Sequence, residues 1–149
     1  MPLRLLLPLA YRAARLWWFV RRPRTFGVRA IAVTPQGEIV LVRHSYLRGW
    51  YCPGGGCKRR EEAQAAALRE LREEIGMIGC GTVRHLADYF VERHFRRDTV
   101  SWFLVRDVRF APRRSLEIAE VRGFAPEALP ADMPPAVRDR VLAALALVP

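Results

Sequence analysis

The chain has little lysine, little cysteine and no uninterrupted apolar run long enough to cross a bilayer. Lys58 is its one lysine, so nearly all of the 25 basic side chains are arginines, set against 15 acidic ones for a formal net charge of +10. Such an excess draws anions (phosphates, nucleic acid, acidic lipid) without choosing among them. The three cysteines, Cys52, Cys57 and Cys80, form no CxxC pair. A structural zinc site or a disulfide framework is therefore not expected, and a reducing cytoplasm is the expected compartment. Internal repeats and low-complexity linkers are missing too. At 149 residues the chain fits one domain, able to bury about two thirds of its unfolded surface.

The nearest thing to a hydrophobic run is LRLLLPLAYRAARLWWFV, residues 3–20. Arg4, Arg12 and Arg15 interrupt it, whereas a spanning helix needs about 20 mainly apolar residues. No small-x-small cleavage pattern follows, which argues against a removable signal peptide. On a helix at about 100° per residue, Arg4, Arg12, Arg15 and Arg22 fall within roughly 80°, opposite Leu5, Leu9, Leu16 and Val20. Residues 1–24 therefore read as an amphipathic helical extension, started or bent at Pro8, and residues 25–149 as the globular domain. Two destinations stay open for residues 1–22. They pack on the domain or on a second copy in a homodimer, or they lie on an anionic bilayer with Trp17 and Trp18 at headgroup depth. The latter would make a cytoplasmic protein peripherally membrane-bound.

Along the rest of the chain, alternation and the Gln36-Gly37 turn predict a β-hairpin over residues 26–44. LRGWYCPGGG, residues 47–56, reads as a loop. Glu61–Ile75 reads as a helix stopped by Gly76, with Leu68, Leu71 and Ile75 as its core face. Two strands follow at residues 82–93 and 99–110, joined by the polar HFRRD, and a third at 117–124. Pro134-Pro135 fit the start of a last helix, on which Val137, Val141, Leu142 and Leu145 share a face. The pattern is α/β: a mixed sheet with helices packed on it.

The charge that is scarce overall is concentrated in one place. Glu61, Glu62, Glu70, Glu73 and Glu74 crowd into the 23 residues from Gly55 to Met77, just after Pro53-Gly54. With Glu70 as reference, Glu73 lies about 60° to one side and Glu74 about 40° to the other, while Arg69 and Arg72 point elsewhere. Three carboxylates about 6 Å apart repel by roughly 3 kcal/mol per pair at an effective dielectric near 20. A helix gains nothing from that crowding. Oxygen-only ligands at this spacing suit Mg²⁺ or Mn²⁺. The competing interpretation is a solvated acidic face. The glycines favour the metal, because they let the backbone turn sharply and bring its N–H and C=O groups close to a ligand.

Gly55, five residues, Glu61, seven residues, then RELREEIGM from Arg69 to Met77 resembles the Nudix box at every fixed position. The hairpin before it, the GW..PGGG lead-in from Gly49 and the trailing EIAEVRGFAPEALP are also similar to that family, so the likeness spans residues 26–145. It implies an α/β/α sandwich with a mixed β-sheet, and Mg²⁺- or Mn²⁺-dependent hydrolysis of a nucleoside diphosphate linked to another group. By position, it implies that Glu73 and Glu74 hold the cation, that Glu70 is a further ligand or the general base, that Arg69 orients Glu70, and that Glu61 anchors the loop. The Gly55 backbone would face the metal. Two departures stand out. Arg60 replaces the glycine that usually precedes the first glutamate, leaving Lys58-Arg59-Arg60 as a phosphate contact or a solvated loop. Arg122-Gly123-Phe124 lacks the tryptophan common before the phenylalanine, so no base is implied.

Outside the box, Glu120 is the candidate for an extra metal ligand, with Glu117 behind it. The basic tip Glu92–Asp98 could steer an anion, Tyr46, Trp50, Phe90 and Trp102 could stack on a base, and His44 and His94 have no catalytic partner pattern. The expected substrate is a nucleoside triphosphate or similar small nucleotide, with nucleic acid not required. The alternatives are a non-catalytic nucleotide or RNA-end binding module, and a nucleotide-sugar or ADP-ribose pyrophosphatase.

Overall fold

The computed structural model describes residues 24–93 and 96–147. Strands β1 (Arg24–Val33), β2 (Ile39–His44), β4 (Val83–Arg93), β5 (Arg96–Val105) and β7 (Ile118–Phe124) make one sheet in the order β4-β5-β1-β2-β7. β1 and β5 run parallel and the other neighbours antiparallel, so the sheet is mixed, as expected. Short strands β3 (Met77–Gly79) and β6 (Arg109–Phe110) form a second pair. Helices α1 (Ala63–Ile75) and α2 (Pro135–Ala146) complete the fold.

Alternation along the central strands divides the core into two layers. Val28, Ala30, Ala32, Val40 and Val42 pack with Ala66, Ala67, Leu71 and Ile75 of α1. Ile31, Val33, Ile39 and Leu41 pack on the other face with Val141 and Ala144 of α2. One helix on each face is the α/β/α sandwich that the resemblance implied. The amphipathic helix expected over residues 1–24 lies outside the described residues except for Arg24, which opens β1. Residues 94 and 95 at the basic tip lie outside them as well.

The structure departs from the sequence reading at three places. The hairpin pairs β1 with β2 only at Ala32↔Val40 and Val33↔Ile39. Beyond that the strands splay, and the segment expected to be a loop threads between them. Val28 N–H donates to Gly55 O at 2.8 Å and Ala30 N–H to Pro53 O at 2.9 Å, while Val42 and Tyr51 exchange two bonds of 2.9 Å. Trp50 and Cys52, 2% and 1% exposed, anchor that segment in the core. The strand expected over residues 99–110 breaks at Asp107, whose φ is +54°, and its second half becomes β6. On α2, Leu142 is 43% exposed rather than on the shared face, because it sits about 100° around from Val141.

Candidate active site

Alanine, leucine, arginine and glutamate give α1 a high helical propensity. Gly76 ends it, at φ +69° with its N–H on Leu71 O, the left-handed cap that glycine favours. The buried residues are Ala66, Ala67, Leu71 and Ile75. Measured from Glu70 at about 100° per residue, they span an arc from about −40° to +140°, and Glu70 and Glu74 lie inside it. The expected core face, Leu68 with Leu71 and Ile75, is thus wider than the sequence suggested, with Leu68 only partly buried. Two of the three carboxylates point into the molecule.

They point at the glycine turn. Glu74 Oε2 accepts the Gly54 N–H at 2.9 Å. Gly55 abuts Glu70 so closely that a Cβ there would lie 2.6 Å from Oε1 and 2.9 Å from Oε2. At Gly54 a Cβ would lie 2.1 Å from the Val28 carbonyl oxygen. The glycines are needed because the strand inserted between β1 and β2 leaves no room for side chains.

Arg69, off the acidic wedge on the helical wheel but implied by the resemblance to orient Glu70, folds back over the acidic group. It reaches Glu61 at 2.8 and 3.0 Å, Glu70 at 2.7 Å, Glu73 at 3.1 Å and the Gly56 carbonyl at 2.9 Å. Glu61 also accepts the Lys58 N–H at 2.8 Å, which ties the loop to the helix. The Arg69 hydrogen bonds, then the Lys58 N–H, hold the Glu61 carboxyl down at about 2, while the bonds to Glu61 and then Glu70 raise the guanidinium of Arg69 above its ordinary range. Glu74 is the opposite case. Burial pushes its carboxyl up to about 7, the Gly54 N–H and Arg29 oppose the rise, and the charges of Glu70 and Glu117 add to it. A carboxylate desolvated beside other carboxylates attracts positive charge.

The residues singled out in the sequence separate into two groups. Gly55, Glu70, Glu73 and Glu74 come together with Arg69 and Glu61. The Gly55 carbonyl oxygen already accepts one bond, from Val28. Glu120 does not join them. Its register partner is Arg43, whose neighbour Val42 faces α1, so Glu120 leaves the opposite face of the sheet. There it pairs with Arg43 at 3.3 Å and Arg122 at 2.6 Å. Glu117 is instead the acid outside the box whose charge reaches Glu74. Its loop is fixed to the end of β2, with Ser45 N–H on Glu117 O and the Ser45 hydroxyl on Leu116 O, each at 2.8 Å. Arg29 was missed; an arginine interrupting the apolar run of a central strand was the available signal.

His44 is 7% exposed and packs against Tyr46 and Tyr51. Burial and then Arg29 lower its pKa, and its Nδ1 has no hydrogen-bond partner among the described residues. Trp50 and Trp102 are core, while Tyr46 and Phe90 are 68% and 83% exposed. The three cysteines are free thiols, and burial pushes Cys52 up to about 12, far from a reactive thiolate.

Among the described residues no three His, Cys, Asp or Glu side chains already converge as a cation cage. The donor chemistry nevertheless fits a hard divalent ion: carboxylate and carbonyl oxygens, a glycine turn pressed on Glu70, and a buried Glu74 short of positive charge. Among the same residues no helix is long and apolar enough to cross a membrane.

Comparisons with known proteins agree on the fold. An RNA pyrophosphohydrolase of Hahella chejuensis is 40% identical over 51 residues, 34% of this chain and 32% of that protein. An 8-oxo-dGTP diphosphatase of Proteus vulgaris is 39% identical over 66 residues, 42% of this chain and 56% of that one. The chain therefore spans only about a third to a half of these curated relatives' length. The crystal structure of a MutT NUDIX hydrolase from Burkholderia pseudomallei superimposes with a TM-score of 0.67 at 21% identity, over 80% of this chain and 96% of that one. The solution structure of the E. coli ORF135 protein does so with a TM-score of 0.65 at 25% identity, over 86% and 93%. The family profile of the NUDIX domain matches residues 23–145, and the chain belongs to that family.

Proposed function

We propose that the protein hydrolyses a phosphoanhydride bond in a nucleoside diphosphate-linked substrate, with a nucleoside triphosphate or similar small nucleotide as its minimal substrate. One observation carries this reading: Glu70 and Glu74 lie on the inward arc of α1 beneath Gly54 and Gly55, which is not where a solvated acidic face would put them. The names of the relatives, an RNA pyrophosphohydrolase and an 8-oxo-dGTP diphosphatase, support the same chemistry. On this reading Glu73 and Glu74 hold Mg²⁺ or Mn²⁺, with Glu70 and the Gly55 carbonyl beside them and Glu117 in the place first considered for Glu120. Nudix hydrolases generally use divalent ions, and such an ion when bound neutralises the diphosphate and acidifies a nearby water.

The chain's own residues do the rest. Arg69 holds Glu70 at a fixed angle and offsets repulsion within the acidic group. Glu70 takes the proton of the attacking water as the water oxygen bonds to one phosphorus and the anhydride P–O bond breaks. The charge of Arg29 reaches Glu74 and helps compensate the phosphate charge as it spreads. The intact glutamate set disfavours a pure binding module, since crowded carboxylates without a cation only cost stability.

A nucleotide panel with Mg²⁺, assayed for phosphate and pyrophosphate, tests the reading. Glu73→Gln and Glu74→Gln should each lower turnover about 10²-fold or more with the fold intact. Wild-type rates in Glu74→Gln would sink the ligand assignment. Glu117→Gln should lower activity, and Glu120→Gln should leave it within a fewfold of wild type. Residues 1–24 belong to the proposal as an amphipathic extension to the catalytic unit at 25–149, docking it on an anionic surface, on the domain or on a second copy. Sedimentation with anionic vesicles, with and without residues 1–22, separates the first from the others.

A further inference from the structure

The sheet face that carries α2 has a hollow of its own. Val137, Val141, Ala144 and Leu145 seat the helix on the core. Beside that seam its side chains are small, and Ala143 and Ala144 line, with Ala87 of β4, a cavity of about 410 Å³. Ile31, Leu86 and Leu147 add to the apolar wall, Leu147 being 68% exposed. Interiors leave few voids larger than a water molecule, whereas cavities of this volume are those that hold small organic ligands. Ile31, Leu86, Tyr89, Trp102 and Ala144 all belong to the α2 layer of the core. The cavity therefore lies across the sheet from α1 and its carboxylates.

Its remaining wall is aromatic and cationic. Tyr89 and Trp102 meet edge to face with centroids 6.5 Å apart. Arg140 of α2 lies over both rings, its Cζ 3.7 Å from the Tyr89 centroid and 5.2 Å from that of Trp102. This guanidinium is half-buried, yet among the described residues it pairs with no carboxylate. Arg138, two residues earlier, bonds the Leu129 and Pro130 carbonyls; Arg140 has ring faces instead. Rings attract a cation but leave its N–H donors unused, and a carboxylate engages two of them at once.

Other groups around the cavity repeat the imbalance. The indole N–H of Trp102 is buried with no acceptor among the described residues. Arg84 is exposed and forms no ion pair among them. His85 is taken by Asp88 at 2.8 Å. Asp139 is the one acid in the lining, against Arg84 and Arg140. A divalent cation would find a single carboxylate here, too few to hold it. A polyphosphate would meet two cations and leave the alanines, Ile31 and Leu86 uncovered. An anion with an apolar body matches both kinds of wall.

We propose that this cavity is a second ligand site, for a small planar organic anion: one or two rings against Tyr89, Leu86 and the alanines, with a carboxylate or sulfonate on Arg140. None of its residues belongs to the acidic group, so it stands or falls apart from the hydrolase reading.

The test is calorimetric titration of the full-length protein with 1-naphthoate, with 1-naphthamide as a neutral probe of the same shape. Wild type should bind one equivalent of 1-naphthoate, and 1-naphthamide at least tenfold more weakly, because the charge-assisted pair is lost. Saturating 1-naphthoate should also raise the melting temperature, as any ligand of the folded state does. Ala143→Leu fills the cavity from an exposed helix position, and both residues are good helix formers. It should weaken 1-naphthoate binding at least tenfold without lowering the melting temperature, so misfolding cannot explain the loss. Arg140→Gln should reduce 1-naphthoate to the affinity of 1-naphthamide. Arg59→Ser, on the loop before α1, should leave binding within twofold of wild type. No binding by the wild type, or equal binding by Ala143→Leu and the wild type, would overturn the proposal. So would an equal loss in Arg59→Ser and Arg140→Gln, since the net charge of +10 and not the cavity would then hold the anion.

Discussion

Arg60→Gly should make the protein more stable, and the amount follows from the backbone. Arg60 has φ +62°, a left-handed conformation that costs an L-residue about 1–2 kcal/mol. Its turn bond, Glu61 N–H to Lys58 O at 3.0 Å, uses main-chain atoms only, so glycine keeps it. Against the relief stands the greater freedom glycine gives the unfolded chain, about 0.4–1 kcal/mol. The balance is a gain of roughly 0.5–1 kcal/mol, or about 1–4 °C in melting temperature for a domain of this size. The same physics runs backwards at Gly37, where φ is +83° and a Cβ would meet nothing within 4 Å. Gly37→Ala should therefore lose about 1 kcal/mol from strain alone, without a clash. Urea denaturation of both variants, with midpoint and slope fitted separately, measures each change. Loss of stability in Arg60→Gly alongside the expected loss in Gly37→Ala would refute the reasoning, because Arg60 would then be holding the fold together.

Three further outcomes test the acidic site. Gly55→Ala puts a methyl group 2.6 Å from Glu70 Oε1, so Glu70 must swing away. Steady-state assay should find kcat/KM down about 10²-fold in a folded protein, and wild-type kcat/KM would contradict the assignment of Glu70. Glu74, raised to about 7 in the metal-free fold, holds a proton that the unfolded chain gives up near 4.5. Apo stability should therefore fall as pH rises through that window, by at most ~1.4 kcal/mol per pH unit. Mg²⁺ binding near neutrality should release a proton, detectable by calorimetry in buffers of different ionisation enthalpy. Arg69→Gln leaves Glu61, Glu70 and Glu73 unmatched. Its melting temperature should drop and its gain on adding Mg²⁺ should exceed the wild-type gain; an equal gain would mean that Arg69 and the ion offset different charges.

What could be read in the sequence was periodic or spaced at fixed intervals. Helix periodicity placed Glu70, Glu73 and Glu74 on one wedge, and alternation with the Gln36-Gly37 turn marked the strands of residues 26–44. What escaped it depended on tertiary packing. Nothing local says that Trp50–Gly56 would insert between β1 and β2, since proline and glycine there read as a loop. Nor does a helical wheel reveal that the alanines Ala66 and Ala67 are buried, which turned two glutamates inward. For Arg69 the helical wheel pointed away while the box implied contact with Glu70, because a long side chain can return to neighbours one and four residues away. Glu120 lost its candidacy through strand register, a property of the paired strand β2 and not of β7 itself.

Binding of Mn²⁺, followed by the loss of its free-ion EPR signal, bears most directly on the acidic arc of α1. The wild-type protein should bind the ion stoichiometrically at micromolar concentrations near neutral pH, and Glu74→Gln should bind it at least tenfold more weakly. Equal binding by the two proteins, or none by either, would contradict the assignment of those inward-facing carboxylates to a divalent cation.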